Sequence, residues 1–399
     1  MKTLLLIKGL SKPQIKSWIK EQGLEKYYLD FASYQNFYSQ YEWDSPGKII
    51  TKFSYSDLVV KRFIEVLNLK MTKGHMIVLD TDLVGIKTIK ALSTVYGYTV
   101  FSKSLDIPSD YINNYAYYSE GEKYEEKKVG EKIKQFLSQN PVGIKVNNFN
   151  DILQYFINHE TVIELSNKDT ALFVSDLHSN YSLYRKLPRE HASCTILLGD
   201  YIDGLEKGGS KKLIEQIGKD GNSVWIEGNH EISLRKYLGS IIYPDLLKEF
   251  YEKTVYSDFK EKTQEEFAYL EKDPNKAADL LGKLNKHLVE YAFLRLPEKT
   301  LVCSHCGIRN IQQLDPRYIS SVIYGSHGYS DINDSIFSKN SDRNLYSIHA
   351  HCKYSCSTEE AGITNQKYKR VINLDPLDQS IVSYCTINEE KFEICHLER

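Results

Sequence analysis

The stretch LLGDYIDGLEKGG, residues 197–209, runs an apolar pair into two carboxylates. Leu197 and Leu198 read as the end of a strand, Asp200 follows Gly199, and Asp203 stands behind it. Carboxylates at a strand end can hold a metal or simply make a solvated turn, so their neighbours decide the reading. Other apolar runs in this half of the chain end in similar residues. The run at 170–176 carries Asp176 and then His178, and the run at 223–229 leads into Asn229, His230 and Glu231. His305 lies in "CSHCGI", and His349 and His351 lie in "IHAH". Each alone is an ordinary turn; their succession, each after an apolar strand, is not. In α/β folds ligand sites gather at the carboxyl ends of strands. This mixture of carboxylate, amide and imidazole suits two first-row divalent ions bridged by one aspartate. Ions about 3.5–4 Å apart can clamp a phosphoryl oxygen between them.

Outward from this stretch, strands are predicted at 170–176, 194–200, 223–229, 300–308, 345–351, 370–376 and 380–387. The charged, helical pattern at about 233–292 is expected to be a helical insert, and the domain to span 168–399. Residues 1–160 form a separate alternation. Strands are expected at 3–9, 26–32, 75–82 and 97–104, with helices at 12–23, 56–70 and 85–97 between them. Such alternation predicts a mainly parallel sheet covered by helices. The Tyr-, Glu- and Lys-rich run at 116–135 reads as a solvated helix or lid.

The composition limits the choices further. The chain has 399 residues, enough for two domains, with a net charge of −2 that gives no global field for nucleic acid. No apolar run is long enough to span a bilayer, and the first strand is too short for a signal peptide. Seven scattered cysteines predict reduced thiols in the cytoplasm. Cys303 and Cys306 around His305, with Cys352 and Cys356 near His351, match a zinc ribbon only loosely, and ordinary buried thiols are the expectation.

The order D-x-H, GDxxD, GNHE, a lone His and H-x-H resembles the calcineurin-like metallophosphoesterase superfamily. The resemblance implies an α/β sandwich that hydrolyses phosphate esters with two divalent ions, manganese first, with iron, zinc or nickel as alternatives. It implies that Asp176, His178 and Asp200, helped by His351, hold one ion. Asp200 bridges to the other, which Asn229, His305 and His349 complete. His230 becomes the general acid and Asp203 its orienting partner. His351 fits both the H-x-H pattern and the phosphoprotein-phosphatase pattern, His349 only the first. Phosphoprotein phosphatases follow GDxxD with a phosphate-gripping arginine; here Gly204 stands in that place, and Lys207 is the nearest candidate contact.

The first domain resembles the P-loop domain of polynucleotide-kinase-like proteins in degenerate form. A phosphate loop needs G-x-x-x-x-G-K-[ST]. After Gly9 the chain has Lys16 and Ser17, but no second glycine, and Pro13 removes a backbone donor. A kinase-like domain before a phosphatase resembles the bacterial polynucleotide kinase-phosphatases. That likeness implies a phosphorylated nucleotide or RNA end as partner, of the 2′,3′-phosphate type. A phosphoprotein substrate is the second reading, and a catalytically quiet nucleotide- or RNA-binding protein the third.

Overall fold

The computed structural model describes residues 1–9, 12–31, 33, 40–45, 48–53, 56–80, 86–106, 142–253, 261–325, 330–351, 370–375, 380–389 and 392–398. The expected lid at 116–135 and the cysteines at 352 and 356 lie outside these residues. The chain divides into two units, Lys2–Ser93 with Tyr98–Phe156, and Ile157–Arg399 with Met1 and Thr94–Gly97.

In the amino-terminal unit the strands are β1 (Thr3–Lys8), β2 (Gln40–Ser45), β3 (Lys48–Phe53), β4 (Ile77–Asp80), β5 (Thr99–Ser104) and β6 (Ile144–Lys145). Four form a wholly parallel sheet in the order β4-β1-β5-β6. Leu4, Leu5, Leu6 and Ile7 are all buried, so β1 is covered on both faces, which is why it reads as an unbroken apolar run. Helices Lys12–Glu21, Ser56–Thr72 and Ile86–Tyr96 follow the expected pattern. The strand expected at 26–32 is reduced to one bridge, Tyr28 to Val78, after a 3₁₀ turn at Glu25–Tyr27. Asp30 ends that run by turning to the ammonium groups of Lys12 and Lys16. The antiparallel pair β2–β3 is a feature the sequence pattern does not announce.

In the carboxy-terminal unit the strands are β7 (Val162–Glu164), β8 (Ala171–Val174), β9 (Cys194–Leu197), β10 (Ser223–Ile226), β11 (Leu288–Val289), β12 (Tyr291–Arg295), β13 (Thr300–Ser304), β14 (Leu345–His349), β15 (Val371–Asn373), β16 (Ile381–Ile387) and β17 (Phe392–Glu398). They make two sheets, β11-β10-β9-β8-β16-β17 and β15-β14-β13-β12-β7. Alternate residues of both sheets meet in one core: Ala171, Phe173, Ile196 and Ile226 from the first, Ala292, Leu294, Leu301, Cys303 and Ile348 from the second. This period of two is what a sandwich of facing sheets requires. Each large apolar side chain withdrawn this fully contributes about 1.5–3 kcal/mol.

The helical insert comprises Asn229–Ile242, Pro244–Lys253, Glu261–Phe267 and Pro274–His287. It ends earlier than the expected residue 292, because β11 begins at Leu288 and β12 at Tyr291. Tyr291 and Phe293 face one core while Ala292 and Leu294 face the other, so β12 lacks the polar alternation that marks a strand in sequence.

Candidate metal centre

The parallel strands β8, β9 and β10 point their carboxyl ends the same way, and the residues just beyond them carry the polar groups. Asp176 and His178 follow β8, Asp200 and Asp203 follow β9, and Asn229 and His230 follow β10. From the second sheet, His305 follows β13 and His351 follows β14. The two strand ends are pinned together by the Ala350 N–H, which donates to the His305 carbonyl at 3.0 Å.

The loops reach these positions through unfavourable backbone. Among the described residues, His178, Ser179, Asp200, Asp203 and His351 are the non-glycine residues with positive φ, between 39° and 66°. Each such conformation costs about 1–3 kcal/mol and persists only where surrounding bonds over-determine it. Here they do. The Leu177 and His178 N–H groups both donate to the Asp200 carbonyl, at 3.1 and 2.8 Å, and the Ser179 N–H donates to the Tyr201 carbonyl at 3.0 Å. Glu231 is wholly buried and accepts the N–H groups of Asp200 (3.0 Å), Tyr201 (2.8 Å) and Gly228 (3.0 Å). Burial and the Asp200 charge push its carboxyl up to about 8, while the donors from Tyr201 and Gly228 oppose that rise.

Asp200 is the hub. Two groups of side chains could hold a metal and share it: Asp176, Asp200, His305 and His351, and His178, Asp200 and His230. Its Oδ1 accepts the His230 N–H at 3.1 Å and lies 3.3 Å from His305 Nε2. Its Oδ2 lies 3.4 Å from His351 Nδ1, yet is buried without a hydrogen-bond donor among the described residues. Burial disfavours its charge, but the imidazoles of His305 and His230 hold the carboxyl well below the usual range. Burial lowers the pKa of His305 in turn, against the pull of Asp200.

The imidazoles are oriented by backbone carbonyls, so that one nitrogen of each faces the cluster. His305 Nδ1 donates to the Leu198 carbonyl at 2.7 Å, which leaves Nε2 beside Asn229 Oδ1 at 3.2 Å. His178 Nδ1 is 3.3 Å from the Ile202 carbonyl, and its Nε2 is 4.0 Å from Asp176 Oδ2. His230 Nδ1 bonds Asp203 Oδ2 at 2.7 Å, and its Nε2 lies 3.7 Å from Asp200 Oδ2. Burial would lower the His230 pKa, but the Asp200 charge and the Asp203 bond outweigh it and push it up to about 9.

His349, named with the ligands in the sequence, does not join them. Its Nε2 lies 2.9 Å from Asp334 Oδ1 and its Nδ1 2.9 Å from the Ala350 carbonyl, so both ring nitrogens face oxygens elsewhere. His349 is the last residue of β14, whereas His351 lies beyond the strand with a φ of 57°, so strand alternation does not align the two rings. Lys207 is exposed on the loop after Gly204 and is in neither metal group. Cys303 and Cys306 are buried free thiols; Cys306 also lies within ligand distance of His305 and His351.

Glu231 and Ser179 carry parts that the sequence reading did not assign. Glu231 had a signal, since it stands at the third position of the helix that Gly228 caps, where a carboxylate returns to the cap N–H. Ser179 had none: its Oγ accepts the Gly204 N–H at 2.8 Å across the fold. Gly204 itself has a structural reason. A Cβ there would lie 1.4 Å from the His178 carbonyl oxygen, so this backbone admits no arginine.

Carboxylates, an amide and imidazoles converging on a shared aspartate, beside an acid-paired histidine, suit metal-assisted hydrolysis. No helix among the described residues is long and apolar enough to cross a membrane. No curated protein matches the chain. Residues 170–355 match the family model of calcineurin-like phosphoesterases, so the unit built on them is a metal-dependent phosphoesterase domain.

Proposed function

We propose that this protein hydrolyses a phosphate ester on a nucleotide or RNA end, in the cytoplasm. The observation that carries the reading is the shared Asp200 carboxylate, with His230 Nε2 facing it and Asp203 on the other ring nitrogen. Asp176, Asp200, His305 and His351 lie close enough to hold one divalent ion, and Asp200 with His178 on one side and Asn229 beside His305 offers ligands to a second, with manganese the ion of choice. Asp200 Oδ2, buried with no hydrogen-bond donor among the described residues, fits a cation. When bound, such ions supply Lewis-acid charge to the phosphoryl oxygens and make water a better nucleophile.

The chain's own residues do the rest. Water oxygen bonds to phosphorus as the ester P–O bond breaks, and His230 gives its Nε2 proton to the leaving oxygen. Asp203 fixes the ring by holding Nδ1–H and stabilises its protonated form. Glu231 holds Asp200 and Gly228 in place through their N–H groups.

The substrate class rests on the amino-terminal unit and on Gly204. The parallel order β4-β1-β5-β6, with a glycine and a helix directly after β1, supports descent from a P-loop kinase domain. Lys12, not Lys16, begins that helix, and it pairs with Asp80 and Asp30 where a phosphate loop would open. A Cβ on Gly9 would meet Ile15 Cγ1 at 2.8 Å, so helix side chains pack closely against this glycine. Transfer of phosphate from ATP is therefore not expected of this unit. A protein-phosphatase reading is disfavoured because the arginine fork has no room at Gly204. Free thiols at Cys194, Cys303, Cys306, Cys385 and Cys395 agree with a reducing compartment. The test is turnover by the manganese-reconstituted chain on RNA 2′,3′-phosphate ends, nucleotides and phosphopeptides. Faster turnover of RNA ends or nucleotides is expected; a preference for phosphopeptides would overturn the substrate assignment.

A further inference from the structure

Cys306 takes no part in the hydrolysis proposed above, yet it stands directly after His305. Its thiol lies with the imidazoles of His305 and His351 in a group whose three ligand atoms are all within 4.8 Å of one another. A tetrahedral zinc ion bonds sulfur at about 2.3 Å and nitrogen at about 2.0–2.1 Å, which sets its ligand atoms about 3.4–3.6 Å apart. Small side-chain turns therefore close the set. The backbone already holds the three together. The Cys306 N–H donates to the Val322 carbonyl at 3.0 Å, its carbonyl accepts the Ser304 hydroxyl at 2.8 Å, and the Ala350 N–H ties the His351 strand end to His305. The His305 and His351 ring centres are 4.4 Å apart. Cys306 and His305 are fully buried, while the His351 side chain is 31% exposed, so an ion enters past His351. A second observation points to a cation here. Asp200 Oδ2, buried with no hydrogen-bond donor among the described residues, lies 3.4 Å from His351 Nδ1. Zinc on one thiolate and two neutral imidazoles keeps one positive charge, which that carboxylate offsets.

The donor set also selects the ion. Thiolate and imidazole together suit zinc, whereas manganese favours carboxylate, carbonyl and water. We propose that His305, Cys306 and His351 form a zinc site whose occupation excludes manganese from the hydrolytic centre. As the sulfur–zinc bond forms, the thiol passes its proton to water. The exclusion follows from shared nitrogens, since Asp176 and Asp200 form their own group with the same two imidazoles. His305 Nδ1 donates to the Leu198 carbonyl, so Nε2 is the nitrogen it offers, and one lone pair serves one ion. Zinc binding stands on its own geometry; its consequence, inhibition by zinc, rests on the phosphoesterase reading above.

Cobalt(II) reports the site, because it takes zinc's tetrahedral place and gives a sulfur-to-metal charge-transfer band in the near ultraviolet. Titrated into the metal-stripped full chain, it should produce that band, and added Zn²⁺ should remove it. In Cys306→Ser and Cys306→Ala the band should be lost. No band in the unaltered protein, or a band that survives in both variants, would overturn the proposal. Should the variants not fold, X-ray absorption of the zinc-loaded unaltered protein decides. A sulfur neighbour at about 2.3 Å is expected, and nitrogen and oxygen neighbours alone would sink the site. In the manganese-reconstituted chain, the Zn²⁺ concentration that halves aryl-phosphate turnover should rise about tenfold in Cys306→Ser, and equal sensitivity would overturn the competition. A protein that shows the band but hydrolyses no phosphate ester keeps the zinc site and loses only the phosphoesterase reading.

Discussion

Both units end parallel strands in aspartates, and the two sheet edges use them in opposite ways. In the amino-terminal unit the Lys12 ammonium pairs with Asp80 and lies 3.4 Å from Asp30, while the Tyr28 hydroxyl donates to Asp80 at 2.7 Å. Burial raises the Asp30 pKa, but Lys12 and Lys16 bring it below the ordinary value. In the carboxy-terminal unit the Asp200 carboxylate faces, among the described residues, imidazoles and backbone N–H groups. A tethered ammonium neutralises a carboxylate permanently and leaves no room for a second cation. An imidazole held by a carbonyl keeps a lone pair and can share the carboxylate with a metal. The same strand-end geometry thus gives a closed ion cluster in one unit and an open ligand set in the other.

The largest effect expected from breaking this contrast is at Asp200. Asp200→Asn removes the charge common to both ligand groups, so bound metal and turnover should both fall by more than about a hundredfold, read by metal analysis and aryl-phosphate hydrolysis. Asp203→Asn touches only the orientation of His230. It should keep its metal and lose about a hundredfold in kcat. Equal metal occupancy in the two variants would show that the roles are misassigned.

The closed cluster should respond differently. Lys12→Met leaves Asp80 buried without its cation and should destabilise the protein by about 1–3 kcal/mol in a denaturant titration. Phosphoesterase turnover should not change. A loss of turnover matching that of Asp203→Asn would tie the amino-terminal cluster to catalysis and dissolve the contrast.

The smallest effect is a pH dependence in metal-free protein. His230 is raised from an ordinary 6.5 to about 9, against burial, by the Asp200 charge and the Asp203 bond. A group raised on folding contributes stability that is complete below its unfolded pKa and lost as pH rises through the folded one. The urea midpoint of metal-free protein should therefore fall from about pH 6.5 to about pH 9, and less steeply in Asp203→Asn. A flat profile would remove the electrostatic account of this pair.

Much of the candidate cluster could be located in sequence because each of its side chains follows a strand that is itself an apolar run. Asp176, Asp200, Asn229, His305 and His351 sit at strand ends that the sequence marks, and backbone direction alone brings them together. His349 was harder. It is two residues from His351 and has the same side-chain chemistry, but its ring faces Asp334, fifteen residues earlier in the chain, and the Ala350 carbonyl instead of the cluster. β12 was hidden for a different reason, since both its faces are buried and no period survives. Lys12 and Asp80 are far apart in sequence, so their pairing could not be read from either motif. Gly204 posed its question in sequence, but the answer lies in a carbonyl oxygen of another loop.

The central claim is that the imidazole and carboxylate cluster around Asp200 is a two-ion hydrolytic centre. Titrating Mn²⁺ into metal-stripped protein while following p-nitrophenyl phosphate hydrolysis tests it most directly. Activity should rise as occupancy approaches two ions per chain and disappear on chelation. Tight binding of two ions with no hydrolysis of any phosphate ester would contradict it.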